Sequence, residues 1–203
     1  MTNLFTKEEY SSGNGFLTSV WGNMMWNTLH IISFNFPVRP TEEQKDYYHN
    51  YLMSLKFVLP CKACRDNYVN NLKVAQYDRS KLKDRDTFSR FIYDLHNIVN
   101  KALNKPKYLT YEAVRDRYEM MRASCIAGTP LVPLHKTKEK LGCVTPISSV
   151  KSQCIINITP YKENRETFVV DKKCLPSSKT KKTSKKSFKK SSKKSSKKSS
   201  KKK

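Results

Sequence analysis

No stretch of this chain approaches the roughly 18 consecutive apolar residues that a membrane-spanning helix needs. The first ten residues (MTNLFTKEEY) also lack an apolar core and carry two glutamates, so no secretory signal is expected. Acidic side chains are missing altogether from residues 177–203, which contain 14 lysines. More than half of the formal charge of +23 therefore sits in a tail, while residues 1–125 hold 18 basic against 13 acidic groups. Cysteine is sparse too. The six (Cys61, Cys64, Cys125, Cys143, Cys154, Cys174) are too few and too scattered for a disulfide-dense miniprotein. No strand of convincing length is legible before residue 125.

What the first 125 residues do contain is helical periodicity. From Phe16 to Phe36, apolar side chains recur at steps of three to five (Phe16, Val20, Met24, Leu29, Ile32) until Pro37 and Pro40 end the pattern. Thr41-Glu-Glu-Gln44 reads as an N-cap with a polar first turn. The helix after it carries Tyr47, Tyr51, Leu52 and Leu55 to about Val58. Pro60 marks a boundary, and a short helix with Tyr68, Val69 and Leu72 is expected from Cys61. A strongly amphipathic helix spans about Asp86 to Leu103, with Phe88, Phe91, Ile92, Leu95, Ile98, Val99 and Ala102 inward. Thr110 to Arg122, with Val114, Tyr118 and Met121, makes a fifth. The expected fold is all-α, a four-helix bundle plus a short fifth helix. The division is an arm (1–15), a helical domain (16–125), a largely irregular extension (126–176) and a disordered Lys/Ser tail (177–203). Gly128–Pro133 reads as a linker. In the extension, Cys154–Ile158 and Thr167–Val170 are β-prone patches with too little apolar surface for a core of their own.

Cys61-Lys-Ala-Cys64 is the richest motif. Two thiols three positions apart can close a disulfide, hold a metal or exchange disulfides with a partner. After Pro60, Cys61 falls at or near a helix N-terminus, where free N–H groups and the dipole favour an anion. That makes the first thiol the better nucleophile and leaving group, with Lys62 and Arg65 adding to the field. Cys64, one turn further in, is expected to be more buried. Upstream, Trp26 and His30 share a helix face; downstream, His96, Asn97, Asn100 and Lys101 cluster on another. Buried amides and imidazoles need partners, and these together suit a polar, ring-rich ligand with Trp and Tyr as walls.

Three blocks in this order resemble the Erv/ALR family of FAD-linked sulfhydryl oxidases: Trp21-Gly…Trp26-x-x-Leu-His30…Pro37, Leu59-Pro-Cys61-x-x-Cys64-Arg65, and Leu95-His-Asn-x-Val-Asn-Lys101-x-Leu-x-Lys105. The resemblance covers about residues 16–122 and is greatest to the versions carried by large cytoplasmic DNA viruses. It implies a helical bundle holding FAD, with Cys64 next to the flavin and Cys61 exchanging with substrate. Electrons would pass from this pair to FAD and then to O₂, giving H₂O₂. It also implies FAD contacts from Trp26, His30, His96, Asn97, Asn100 and Lys101, with Lys105, Tyr108 and Tyr118 on the adenine side. Protein thiols or a thioredoxin-like relay protein would be the substrates, and the enzyme would be a homodimer.

Two departures stand out. The staple that ties the fourth helix to the following segment in cellular members is absent, its positions being Tyr93 and about Thr110. The shuttle Cys-x-x-Cys is missing as well; among Cys125, Cys143, Cys154 and Cys174 none forms a close pair in sequence, and Cys125 could serve an intersubunit bond. A viral enzyme working in the host cytoplasm, and carried in the virion, reconciles disulfide chemistry with the lack of a targeting segment; an intermembrane-space enzyme is the fallback.

Three other readings compete. A zinc-stapled helical module binding nucleic acid through its basic tail lacks any His pair at three to five residues. A thioredoxin-type oxidoreductase needs β-α-β units that are not visible. An inactive bundle acting as a scaffold would not need both cysteines and the His/Asn stripe. The tail itself suits unspecific, salt-sensitive nucleic-acid contact, or serves only to solubilise.

Overall fold

The computed structural model describes residues 5–105, 108–125, 143–147, 150–160, 163, 165–166 and 168–174. Helix α1 (Lys7–Ser11) is a single turn started by a Thr6/Glu9 capping box. The long helices follow: α2 (Thr18–Phe34), α3 (Glu42–Val58), α4 (Lys62–Val74) and α5 (Arg85–Ala102), then the shorter α6 (Tyr111–Glu119). A 3-10 turn over Arg79–Leu82 links α4 to α5. The expected bundle of four helices plus a fifth is thus the observed one, with α1 added in what the sequence suggested was a plain arm.

Local chemistry explains the ends. Thr41 and Gln44 form the reciprocal box that opens α3. Asp84 caps α5 by accepting from the Thr87 N–H at 2.8 Å, and Thr110 caps α6 through the Ala113 N–H. Asn104, at φ 52°, ends α5: its N–H reaches the Lys101 carbonyl and that of Lys105 the Asn100 carbonyl, both at 3.0 Å.

Leu29, Phe36, Leu52, Leu55, Leu59, Leu72, Leu82, Phe88, Phe91, Ile92 and Leu95 make one buried cluster, with Phe36, Tyr48 and Phe88 meeting edge-on or tilted. Helix α2 packs on α5 and on α6, and α3 packs on α4. The buried residues of α2 are Leu29, His30, Ser33 and Phe34, while Phe16, Val20 and Met24 face solvent. The apolar repeat in the first half of α2 therefore marks an outer stripe rather than a core face. The absent staple is replaced by a ring: the Tyr93 hydroxyl donates to the Leu109 carbonyl at 2.7 Å and the ring meets Tyr111 edge-on at 5.7 Å.

Beyond α6, two short strands pair antiparallel, β1 (Ala123–Cys125) and β2 (Cys143–Pro146). They lie outside the two patches expected to be β-prone: 154–158 has no regular structure, and of 167–170 only 168–170 is described, also without a strand. The ladder sets the backbone of Cys125 opposite that of Cys143, a pairing that distance along the sequence had hidden. The Gly128–Pro133 linker and the Lys/Ser tail lie outside the described residues. Among those that are described, no helix is long and apolar enough to cross a membrane.

The segment before α2 is tied to the thiol motif. Phe16 N–H donates to the Pro60 carbonyl at 2.8 Å and Lys62 N–H to the Asn14 carbonyl at 2.9 Å, a β-bridge between Gly15 and Cys61. Gly15 sits at φ +94°, and a Cβ there would lie 2.4 Å from the Pro60 oxygen. Only glycine fits. The Arg65 guanidinium closes the strap, donating to the Leu59 carbonyl at 2.6 Å and to the Gly13 carbonyl at 3.1 Å.

Candidate active site

Cys61 is the N-cap of α4, in extended conformation, and its Sγ accepts the Cys64 N–H at 3.2 Å. This is the helix-start geometry that the sequence suggested. Lys62 is turned outward to Asp66 at 3.0 Å, while Arg65, held on backbone carbonyls, still acts as expected by lowering the Cys64 thiol, though less than other effects raise it. Both thiols are half-buried, and Cys64 packs against the hydrophobic core. Burial, then the hydrogen bond and charge of Cys61, push the Cys64 thiol up to about 12.

A polar cavity opens between α2, α5 and α6, with about 900 Å³ of empty space counting its open mouth. From α2 it is lined by Asn23, Trp26, Asn27 and His30, and from α5 by Tyr93, His96, Asn97 and Asn100. Lys105, Tyr108 and Leu109 come from the connection, Val114, Arg117 and Tyr118 from α6. The nine residues proposed from sequence to hold a cofactor are brought together here with one exception. Lys101, exposed on the flank of the α5 stripe, does not line the cavity. Sequence reasoning missed Asn23, Asn27, Tyr93 and Arg117. The first two follow from Trp26 and His30 by a helical step of three, and Tyr93 from His96 likewise.

Inside, the rings are ordered. Trp26 stacks on His96 at 4.1 Å with planes 7° apart, and His30 lies 5.2 Å from the Tyr118 ring. His30 Nε2 and His96 Nδ1 are 3.0 Å apart, so one ring donates and the other accepts. Tyr118 donates to Asn27 Oδ1 at 2.7 Å. Two buried polar atoms on the cavity residues have no partner, His30 Nδ1 and Asn100 Oδ1. Burial lowers His30 to about 4; burial, then His30 and Lys105, lower His96 to about 3. Both imidazoles are neutral at pH 7.

This carries a pH dependence. Below the ordinary histidine value near 6.5 the unfolded chain takes up protons that the buried rings refuse. The stabilising contribution is complete above about pH 6.5 and is lost as pH falls toward the folded values. Melting temperature is expected to drop by several degrees between pH 7 and about pH 5, a range above the ordinary carboxylate values. In a His96→Gln variant the decline should be shallower; an equal decline would refute the assignment.

The cavity offers flat aromatic walls, amides, two cations (Lys105, Arg117) and two unpartnered buried polar atoms, a set suited to a ligand with planar rings and an anionic linker, as FAD is. Among the described residues no group of three His, Cys, Asp or Glu gathers as a metal would require.

Residues 23–119 match the sequence model of the Erv1 / Alr family. A protein of Acanthamoeba polyphaga mimivirus named as a FAD-linked sulfhydryl oxidase is 36% identical over 91 residues, 45% of this chain and 63% of that protein. One of Invertebrate iridescent virus 3, similarly named, is 32% identical over 117 residues, 57% of this chain and 78% of that protein. The crystal structure of the yeast Erv1 core aligns over 58% of this chain and 92% of that one, with 22% identity and a TM-score of 0.46, too loose a likeness to add weight. The identity held over more than two thirds of the iridescent-virus relative is decisive: this chain belongs to the Erv1 / Alr family.

Proposed function

We propose that the chain is an FAD-dependent thiol oxidase that forms disulfides in protein substrates. The observation that carries this is the pairing of a Cys-x-x-Cys at a helix start with a ring-walled polar cavity on the same helical bundle. The family's relatives are named for the same activity.

The two cysteines divide the work. A substrate thiolate attacks the Cys61–Cys64 disulfide at Cys61, the helix-capping sulfur, and Cys64 leaves. A second substrate thiol then attacks the mixed disulfide at the substrate sulfur and releases Cys61. Because Cys64 is packed against the core and withdrawn from water, exchange with outside thiols runs through Cys61 and Cys64 is kept for the cofactor side. FAD, when bound, supplies a two-electron acceptor that O₂ can reoxidise, with H₂O₂ as product. Trp26, His30, His96, Asn97, Asn100, Lys105, Tyr108 and Tyr118 would hold it; Lys101 is proposed as an outer contact only. The neutral His30–His96 pair contributes hydrogen bonds without adding charge.

The outer stripe of Leu17, Val20, Met24 and Ile31 on α2, all exposed, supports a homodimer. The viral relatives support a viral enzyme of the host cytoplasm, carried in the virion. Purified protein is expected to be yellow, and its flavin band should bleach on anaerobic addition of a dithiol. Bound zinc with no chromophore would overturn the reading.

A further inference from the structure

Phe168 belongs to neither the helical domain nor the segment that matches the family, yet it lines the cavity between α2, α5 and α6. Its ring lies 6.1 Å from that of Tyr118 with planes 14° apart, and the Arg117 guanidinium sits 5.6 Å from its centroid. It is partly buried, while its neighbour Val169 is 68% exposed. On its far side, Glu166, Phe168, Val169 and Val170 form a second cleft with α6. The ring is thus a partition between the cavity and the outer face of α6.

We infer that Phe168 is a cofactor-binding residue, supplied by the extension, that stacks on the adenine of FAD. This rests on the proposed flavin chemistry. The placement supports adenine rather than flavin. Tyr118, behind Phe168, stacks with His30 and Phe34 in the C-terminal half of α2. The thiol pair is bridged to the segment that enters the N-terminal end of the same helix, so the flavin end of the ligand must lie there. A helix of 17 residues is about 25 Å long, a separation that puts the two ends of an extended dinucleotide at different rings. Phe168, backed by the nearly parallel Tyr118, offers an aromatic wall on which a planar base can stack, and Arg117 offers a cation for the adjoining phosphate. A residue that served only to pack the extension on α6 would have no reason to face the cavity.

The test is the dissociation constant of FAD, measured by titrating flavin into apo-protein of the full chain. Phe168→Ala should raise it about tenfold, in line with loss of one aromatic stack, and Phe168→Tyr should restore it. Val169→Ala, one position along, should leave it unchanged, and helix content by circular dichroism should be the same in all three. Unchanged affinity in Phe168→Ala, or an equal loss in Val169→Ala, would overturn the inference. So would tighter binding, which would mean that the ring occupies the cofactor's place. If the parent chain binds no FAD, the proposed function fails instead, a result separate from these.

Discussion

Cys64→Ser is expected to retain FAD and to lose thiol oxidation, falling below roughly a thousandth of the parent rate. The reasoning combines chemistry with position. A serine hydroxyl cannot form the disulfide that a substrate thiolate opens, so the first exchange has no electrophile. Cys64 lines no part of the cavity, so its replacement leaves the proposed binding residues in place and the absorption of the bound flavin should persist. Cys61→Ser should be equally inactive toward protein thiols, for the same lack of an electrophile. Turnover in Cys64→Ser at more than a tenth of the parent rate would remove the thiol pair from the mechanism. A colourless Cys64→Ser protein would instead show that the core contact of Cys64 shapes the cavity.

His96→Ala should come off purification without FAD and melt at least about 5 °C below the parent. Three losses add at this position: the stack on Trp26 at 4.1 Å, the hydrogen bond to His30 at 3.0 Å, and the wall of the cavity. The bond matters most. His30 is only 3% exposed and its Nδ1 already lacks a partner; without His96 neither ring nitrogen would have one in the protein. Leaving a buried polar group unpaired costs about 1–3 kcal/mol, and an aromatic stack adds about 0.5–1.5. In a domain of this size about 1 kcal/mol moves the melting temperature by several degrees. Absorption of the eluted protein and a thermal melt check both parts. A yellow variant with parental stability would show that His96 is a bystander.

The helices were legible because the signals were local. The Thr41–Gln44 box, the proline stops and the apolar face of α5 each act within a few residues. The cavity was legible for a related reason: its α2 and α5 walls are helical stripes, readable from spacing. What escaped depends on pairing at a distance. Gly15 and Cys61 meet across 46 positions of sequence, and a glycine in a polar segment carries no sign of its partner. The same holds for the rung joining Cys125 and Cys143, and for Phe168, whose place at the cavity mouth comes from packing on α6 and not from any period of its own. Lys101 stands off the cavity for the opposite reason: neighbours in sequence need not share a wall when each step turns 100° around the axis.

The strap at Cys61 has a consequence for selectivity. Exposed edges of extended backbone commonly recruit peptides by adding a strand, the incoming main chain pairing rung by rung. Here the carbonyl of Pro60 and the N–H of Lys62 are already taken by Phe16 and Asn14, so the main-chain groups flanking the reactive sulfur have nothing left to offer a visitor. A polypeptide approaching Cys61 is held by its own thiol and by side chains, not by its backbone. On the proposed thiol chemistry, clients would be selected by whether a cysteine can be presented at all, and not by the conformation of the chain around it.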